Sequence, residues 1–321
     1  MKIKASGPGM MADFTQGIGA HVRGRFIEIP ESKGAGYITG FNWGSDLRML
    51  IRNFYLKEQV FVEWTNKSID DQKHVVFLLS GIFPSMIPSD ELSPERANVL
   101  ICGQLSSAVV NMPSNTVFGS VTIGVSQEFL HKLFGHLDHP LVTSILEASD
   151  SFVFETGISP QIVNAASDML NEPVPEDLEN QYYRLKCEEL LCHIFALLLK
   201  RDAIPASRMH IDEIKALYAV KEKLMSRLAE PPNISSLARE AGMSEPKLRK
   251  LFRQTFGKGV FEFYQSARMQ EAARLLKDKH LTVSEVGYQL GFTNLSHFSR
   301  VFEEYAGIKP KKYSSTVTAP A

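Results

Sequence analysis

Cysteine is scarce in this chain: only Cys102, Cys187 and Cys192 occur in 321 residues. Three scattered cysteines supply neither the disulfide framework of a small secreted fold nor a zinc-binding cluster, so unpaired structural thiols in a reducing compartment are expected. Long apolar runs are missing too, and none approaches the roughly 18 residues that mark a membrane span. The stretch from Met1 to Asp13 carries Lys2 and Lys4 but lacks the continuous apolar core of a signal peptide. A cytoplasmic protein is the expectation. Glycine-rich phosphate loops and the nucleophile elbow are absent as well, which removes two common enzyme classes.

Net charge is almost absent, with 35 Lys+Arg against 36 Asp+Glu. That balance hides an asymmetry. From Ile211 to Pro320 there are 18 basic against 12 acidic residues, leaving 17 against 24 for the remainder. A basic segment suits phosphate neutralisation, whereas an acidic one repels the same polyanion. The composition, 44% hydrophobic and 22% charged, is that of an ordinary globular protein. The length favours two domains, each able to bury its own core.

The first half carries a strand pattern. Val117 to Val125 places Gly119, Val121, Ile123 and Val125 on one side and Phe118, Ser120 and Thr122 on the other. Leu47 to Ile51, Val60 to Trp64 and Val75 to Leu79 are further short runs, separated by turn-forming stretches at Asn66 to Gln72 and Pro84 to Pro94. Such spacing predicts a barrel or sandwich. The period then changes. Tyr183, Cys187, Leu190, Leu191, Ile194, Leu197 and Leu198 recur at steps of three and four, as on an amphipathic helix with Glu176, Asp177 and Glu179 at its start and Lys200 and Arg201 at its end. Residues 1–202 thus form one domain, Ala203 to His210 a polar linker, and 211–316 a second, all-helical domain.

The second domain contains an internal repeat. Leu237-Ala238-Arg239-Glu240-Ala241-Gly242-Met243-Ser244 is echoed by Val286-Gly287-Tyr288-Gln289-Leu290-Gly291-Phe292-Thr293. In each copy a small residue, Ala238 or Gly287, permits two helices to cross closely. Four residues later a glycine takes the positive φ of a tight turn, and Ser244 or Thr293 can cap the next helix. Asn233 can cap the helix before the first turn, and Thr282 with Glu285 makes a capping box in the second copy. These are helix-turn-helix signals. The following helices bury Leu248, Leu251 and Phe252 in one copy and Phe298, Val301 and Phe302 in the other. Their outward positions are Lys247, Arg249, Lys250 and Arg253, then Asn294, Ser296, His297, Ser299 and Arg300. Such side chains donate to base edges and phosphates. Between the copies Val260, Phe263, Tyr264, Ala267, Ala272, Leu275 and Leu276 make one apolar stripe, so a single stiff helix joins them. Arg268 interrupts that stripe and is expected in a structural ion pair.

From Ile211 to Ser314 the chain resembles the DNA-binding domain of the AraC/XylS family of transcription regulators. The resemblance rests on Ala241-Gly242-Met243-Ser244, Leu248, Leu251-Phe252-Arg253, the Arg268-Met269 to Leu275-Leu276 joining helix, Gly291-Phe292, His297-Phe298-Ser299-Arg300-Val301-Phe302, Gly307-Ile308-Lys309-Pro310 and Tyr313. It implies a sequence-specific regulator, often an activator, with recognition helices at Glu245 to Gln254 and Asn294 to Glu303. Its implied partners are double-stranded promoter DNA and RNA polymerase. Pro246 and Ser314 depart from the family pattern. Before Ile211 the resemblance weakens to an analogy with the cupin-like effector and dimerisation region of such regulators, giving an α+β fold overall. On that analogy a small effector binds the first domain, and the Tyr183 to Leu198 face pairs two protomers into a homodimer. The same face could equally pack on its own barrel.

Enzyme readings fare worse. His131, His136, Asp138 and His139 could offer metal ligands, but the close pairing of histidines on one strand used by cupin metal centres is missing and Pro140 follows the group. Trp43, Phe54, Tyr55, Phe61 and Trp64 could line a pocket, although aromatics on strands more often fill a core. A repair methyltransferase would need a reactive cysteine in a basic setting with a zinc cluster. A phosphorylated receiver would need an alternating βα front half. No enzyme activity, cofactor or metal is expected.

Overall fold

The structure is a computed structural model describing residues 1–6, 10–65, 74–83, 92–103, 107–147, 152–171, 174–202, 209–278 and 281–315. The chain divides into two compact units, Met1–Met209 and His210–Ala321. Of the expected linker, residues 203–208 lie outside the described residues, and His210 already serves as the N-cap of the first helix of the second unit.

The first unit runs β1 (Lys2–Ser6), α1 (Met10–Ile18), β2 (His21–Arg23), β3 (Phe26–Glu28), β4 (Gly34–Trp43), β5 (Leu47–Leu56), β6 (Val60–Thr65), β7 (His74–Ser80), β8 (Ser93–Pro94), β9 (Asn98–Gly103), β10 (Ser107–Met112), β11 (Thr116–Ser126), α2 (Gln127–Phe134), α3 (Pro140–Leu146), β12 (Val153–Thr156), α4 (Pro160–Asn171) and α5 (Glu176–Leu198). The expected strands are present, extended at their ends. The two turn-forming stretches between them fall largely outside the described residues. One sheet follows the path β12-β9-β7-β11-β5-β4-β3-β2, with β8 beside β11, and a second sheet has the order β1-β6-β10. The described strands do not close into a cupin-like barrel, because β2 and β12 stand at opposite ends of an open path.

Each face of the large sheet is covered. Ile38, Phe54, Leu56 and Phe118 pack on one side with Ile3, Val60, Val62 and Met112 of the small sheet. On the other side Met49, Ile51, Phe77, Val121 and Ile123 pack with apolar residues of α2 to α5. Strand β11 sits centrally between β5 and β7, its two sides divided as expected, with Val121, Ile123 and Val125 packed in one core and Phe118 in the other, and Ser120 is 0% exposed. Phe54 is core, whereas Trp43 is half-buried, stacks on Phe41 and donates from Nε1 to the Asn180 carbonyl. The side chain of Trp64 lies outside the described residues.

Helix α5 corrects one expectation. Tyr183, Cys187, Leu190, Leu191, Ile194, Phe195 and Leu198 are buried in their own unit, and Phe195 stacks on Phe134 with ring centroids 3.9 Å apart. The face offered for pairing two protomers is therefore already occupied by the sheet. The opposite side of α5 exposes Leu178 and Leu185. All three cysteines are free: Cys192 is exposed, whereas burial pushes Cys187 up and Cys102 up to about 12, far from the low pKa of a nucleophilic thiol.

The second unit is helical in its described elements: α6 (Ile211–Ser226), α7 (Ile234–Glu240), α8 (Glu245–Phe256), α9 (Val260–Asp278), α10 (Val283–Gln289), α11 (Leu295–Ala306) and α12 (Pro310–Ser315). Asn233 caps α7 by accepting from the Ser236 amide at 3.0 Å. Thr282 and Glu285 form the expected capping box on α10. Among the described residues no helix is long and apolar enough to cross a membrane.

The orientation of α5 is open to a direct test. Leu190→Ala should cost roughly 2–5 kcal/mol by leaving a cavity in the core, while Gln181→Ala, at an exposed position of the same helix, should stay within about 0.5 kcal/mol. Urea denaturation of both variants of the full chain measures the contrast.

Candidate nucleic-acid interface

Two helix pairs, α7 with α8 and α10 with α11, repeat one local design. Gly242 and Gly291 both hold positive φ, at +63° and +78°, as the turn requires. At Gly287 a Cβ would lie 2.6 Å from Leu295 Cδ2, so a larger residue there requires the Leu295 side chain to shift. Each second helix ends on a left-handed glycine, Gly257 or Gly307. Pro246 sits in the first turn of α8, where its missing N–H leaves no intrahelical bond unmade. The caps differ from expectation. Ser244 occupies the N-cap position of α8 without a side-chain cap bond. In the second copy Asn294, not Thr293, is the cap, its Oδ1 accepting from the Ser296 and His297 amides at 2.9 and 3.0 Å.

The apolar faces of α8 and α11 turn inward as expected. Leu248, Leu251, Phe252, Phe298 and Phe302 are buried and Val301 half-buried. Lys247, Arg249, Lys250 and Arg253 are exposed on α8, and Ser296, His297 and Arg300 on α11, with Ser299 half-buried. Every expected contact residue on the two helices thus lies on the outer side, and Asn294, also exposed, precedes α11 with its carbonyl oxygen committed to the cap. Carboxylates stand beside two of the cations. Lys247 Nζ lies 2.5 Å from Glu213 Oε1 on α6, and Arg249 lies 3.6 Å from Glu245 one turn earlier. The bond from Lys247, followed by the His210 amide, lowers the Glu213 pKa. The Glu245–Arg249 pair was legible as an i,i+4 spacing; the Glu213–Lys247 pair, between helices far apart in sequence, was not.

Helix α9 joins the copies and bonds to both sides. Tyr264 donates its hydroxyl to the Leu228 carbonyl at 3.0 Å, before α7. One turn later Arg268 donates to the Leu290 carbonyl at 2.5 Å, at the end of α10. The buried Arg268 guanidinium also lies 3.8 Å from the centroid of the Phe292 ring and 5.1 Å from that of Tyr264. Among the described residues Arg268 thus lacks the ion pair expected of it and is instead a cation held by two rings and a helix C-terminal carbonyl. At Gly291 a Cβ would lie 2.0 Å from the Ala229 carbonyl oxygen, so the turn of the second copy packs directly on the segment leading into the first.

His139 caps α3 through its Nδ1, and among the described residues no group of three or more His, Cys, Asp or Glu could hold a metal.

Residues 237–316 match the family described as a helix-turn-helix domain. The chain is 38% identical over 88 residues to the HTH-type transcriptional regulator GlxA of Rhizobium meliloti, covering 27% of each chain. It is 29% identical over 118 residues to the arabinose operon regulatory protein of Salmonella typhimurium, covering 36% of this chain and 42% of that one. The chain thus spans less than half the length of either relative. Among solved structures it resembles the DNA-binding domain of AdpA in complex with a target DNA, at 26% identity and a TM-score of 0.30, covering 32% of this chain and 91% of the other.

Arg268→Met should destabilise the second unit by about 1–3 kcal/mol, the cost of leaving a buried carbonyl without its donor, as read by thermal unfolding. The Lys247–Glu213 pair has the opposite pH sense to a histidine switch. Because the Glu213 pKa is lowered, its contribution is present above the ordinary carboxylate range and is lost as pH falls through the depressed value. An NMR titration of the Glu213 carboxyl checks it, with Lys247→Gln raising the midpoint toward the ordinary value while the His210 amide bond remains.

Proposed function

The C-terminal unit of this chain is a DNA-binding domain of the AraC/XylS family, and from that premise we propose that the protein is a sequence-specific transcription regulator, acting as an activator. Helices α8 and α11 enter successive major grooves on one face of double-stranded promoter DNA, about 34 Å apart. Lys247, Arg249, Lys250 and Arg253 make the contacts of the first helix. Ser296, His297, Ser299 and Arg300 make those of the second, with Asn294 limited to its amide nitrogen. The observation that carries this reading is the pair of outward polar faces on two helix pairs, both tied by hydrogen bonds to one joining helix, α9.

The first unit is read as the effector domain, with a small molecule bound there changing promoter affinity and contact with RNA polymerase. Its strand-rich fold and the excess of acidic residues support that role, since the acidic unit does not compete for the phosphate backbone. No cofactor is required. A homodimer in this reading uses the outer side of α5. Leu178, Leu185, Cys192 and Leu199 are exposed at seven-residue intervals there, the repeat of a coiled-coil seam. Antiparallel copies would set Glu176 and Asp177 of one against Lys200 of the other.

Arg249→Ala and Arg300→Ala should each weaken binding to the cognate duplex by about 1–3 kcal/mol and relax the base preference at one position. Titrations against a library of single-base variants measure both effects, and unchanged affinity with unchanged preference in both proteins would remove the assignment. Sedimentation of Leu185→Lys beside the wild type tests the dimer: a wild-type dimer and a monomeric variant support the α5 seam, and a wild-type monomer opposes it.

A further inference from the structure

The first unit buries polar groups that its own fold leaves without partners. On β5, Leu50 and Phe54 face the small sheet, so Arg52 between them lies on the same side of the strand. Its neighbours in register are Ile38 on β4 and Ser120 on β11. Ser80, next along β7 after the pair Leu79 and Val121, continues the row. Glu95 stands over it, accepting from the Ser80 hydroxyl and the Gly81 amide. Arg52 and Glu95 act on each other electrostatically, yet no ion pair joins them among the described residues. Arg52 Nε, Glu95 Oε2 and Ser120 Oγ are all buried without a hydrogen-bond partner.

Leaving one such atom unpaired in a folded interior is costly, and three clustered orphans need a cause. Opposite charges that are desolvated but not in contact imply something between them. The charges cancel, so an ionic ligand would meet one of them as a repulsion. What is left over is one N–H donor, one carboxylate acceptor and one hydroxyl that can do either. A hydroxyl group answers this set, donating to Glu95 and accepting from Arg52 or Ser120. On the same face of the sheet lie Leu50, Leu78 and Leu100, all half-buried, which suits an apolar body next to that polar head. We propose that Arg52, Ser120 and Glu95 form the polar end of a binding site for an uncharged, hydroxyl-bearing small molecule with an apolar body. The inference rests on the effector reading of this unit and specifies its ligand class.

Four molecules of one skeleton test the head group on the full chain: benzyl alcohol, benzoate, benzylammonium and toluene, followed by ligand-observed NMR. Benzyl alcohol should bind at least about tenfold more tightly than the other three. Ser120→Ala, which removes a hydroxyl that bonds to nothing and so keeps the fold, should reduce that preference, and Arg52→Met with Glu95→Gln should abolish it. No binding by the alcohol, tighter binding by either ion, or an unchanged preference in both variants overturns the proposal. A separate arm measures promoter affinity with and without extracted cell metabolites. A response kept undiminished in Ser120→Ala and in the Arg52→Met, Glu95→Gln variant would retain effector control while removing this site. Alcohol binding with no response of DNA affinity would retain the site while removing effector control.

Discussion

The arrangement of the second unit depends on what happens around Arg268. A lone cation inside a helical bundle is costly unless its charge and most of its N–H groups are answered. Here two aromatic rings face the guanidinium, the Leu290 carbonyl accepts from Nη2 and Gln265 Oε1 accepts from Nη1 at 3.2 Å, while Nε is buried without a partner. Tyr264 makes the equivalent bond toward the other side, and Gly291 removes the side chain that would force the two segments apart. Both attachments lie within one turn of α9, so a bend in either copy must break a buried hydrogen bond. Helix α9 behaves as a rigid spacer because it is bonded to both copies, and not merely because it is long.

That rigidity connects to function through geometry. Base edges are read by direct contact at hydrogen-bond distance, and two helices can do so together only if their separation matches the pitch of DNA. The exposed cations on α8 are also tempered by the acidic neighbours Glu213 and Glu245. Such pairs are worth little at an exposed site and are exchangeable for phosphates.

Local signals in the sequence were legible where one residue type does one job. The turn glycines Gly242 and Gly291, the small residue Gly287, the Thr282–Glu285 box and the stripe on α9 all depend on backbone geometry or helical period, which neighbouring residues fix. The outward sets on α8 and α11 followed from the same period. Harder features depended on partners distant in the chain. Arg268 looked like half of an ion pair because sequence does not show that Phe292 and the Leu290 carbonyl meet it. Helix α5 was found, but its period says only which side is apolar and not whether that side meets a sheet or a second chain. Sheet closure was likewise illegible: strand content is local, while the open path from β12 to β2 is set by pairings between distant segments. Helices α1 and α4 were not anticipated, and the alternation expected in β11 is present with both of its sides covered.

The central claim is that two recognition helices read DNA as one rigid pair. Affinities for a selected duplex carrying both boxes, and for the same duplex with about five base pairs, half a helical turn, inserted between them, test it most directly. The account predicts that the insertion lowers affinity to that of a duplex with a single box, because rotating one groove away leaves α9 unable to follow. Equal affinity for both duplexes would contradict it.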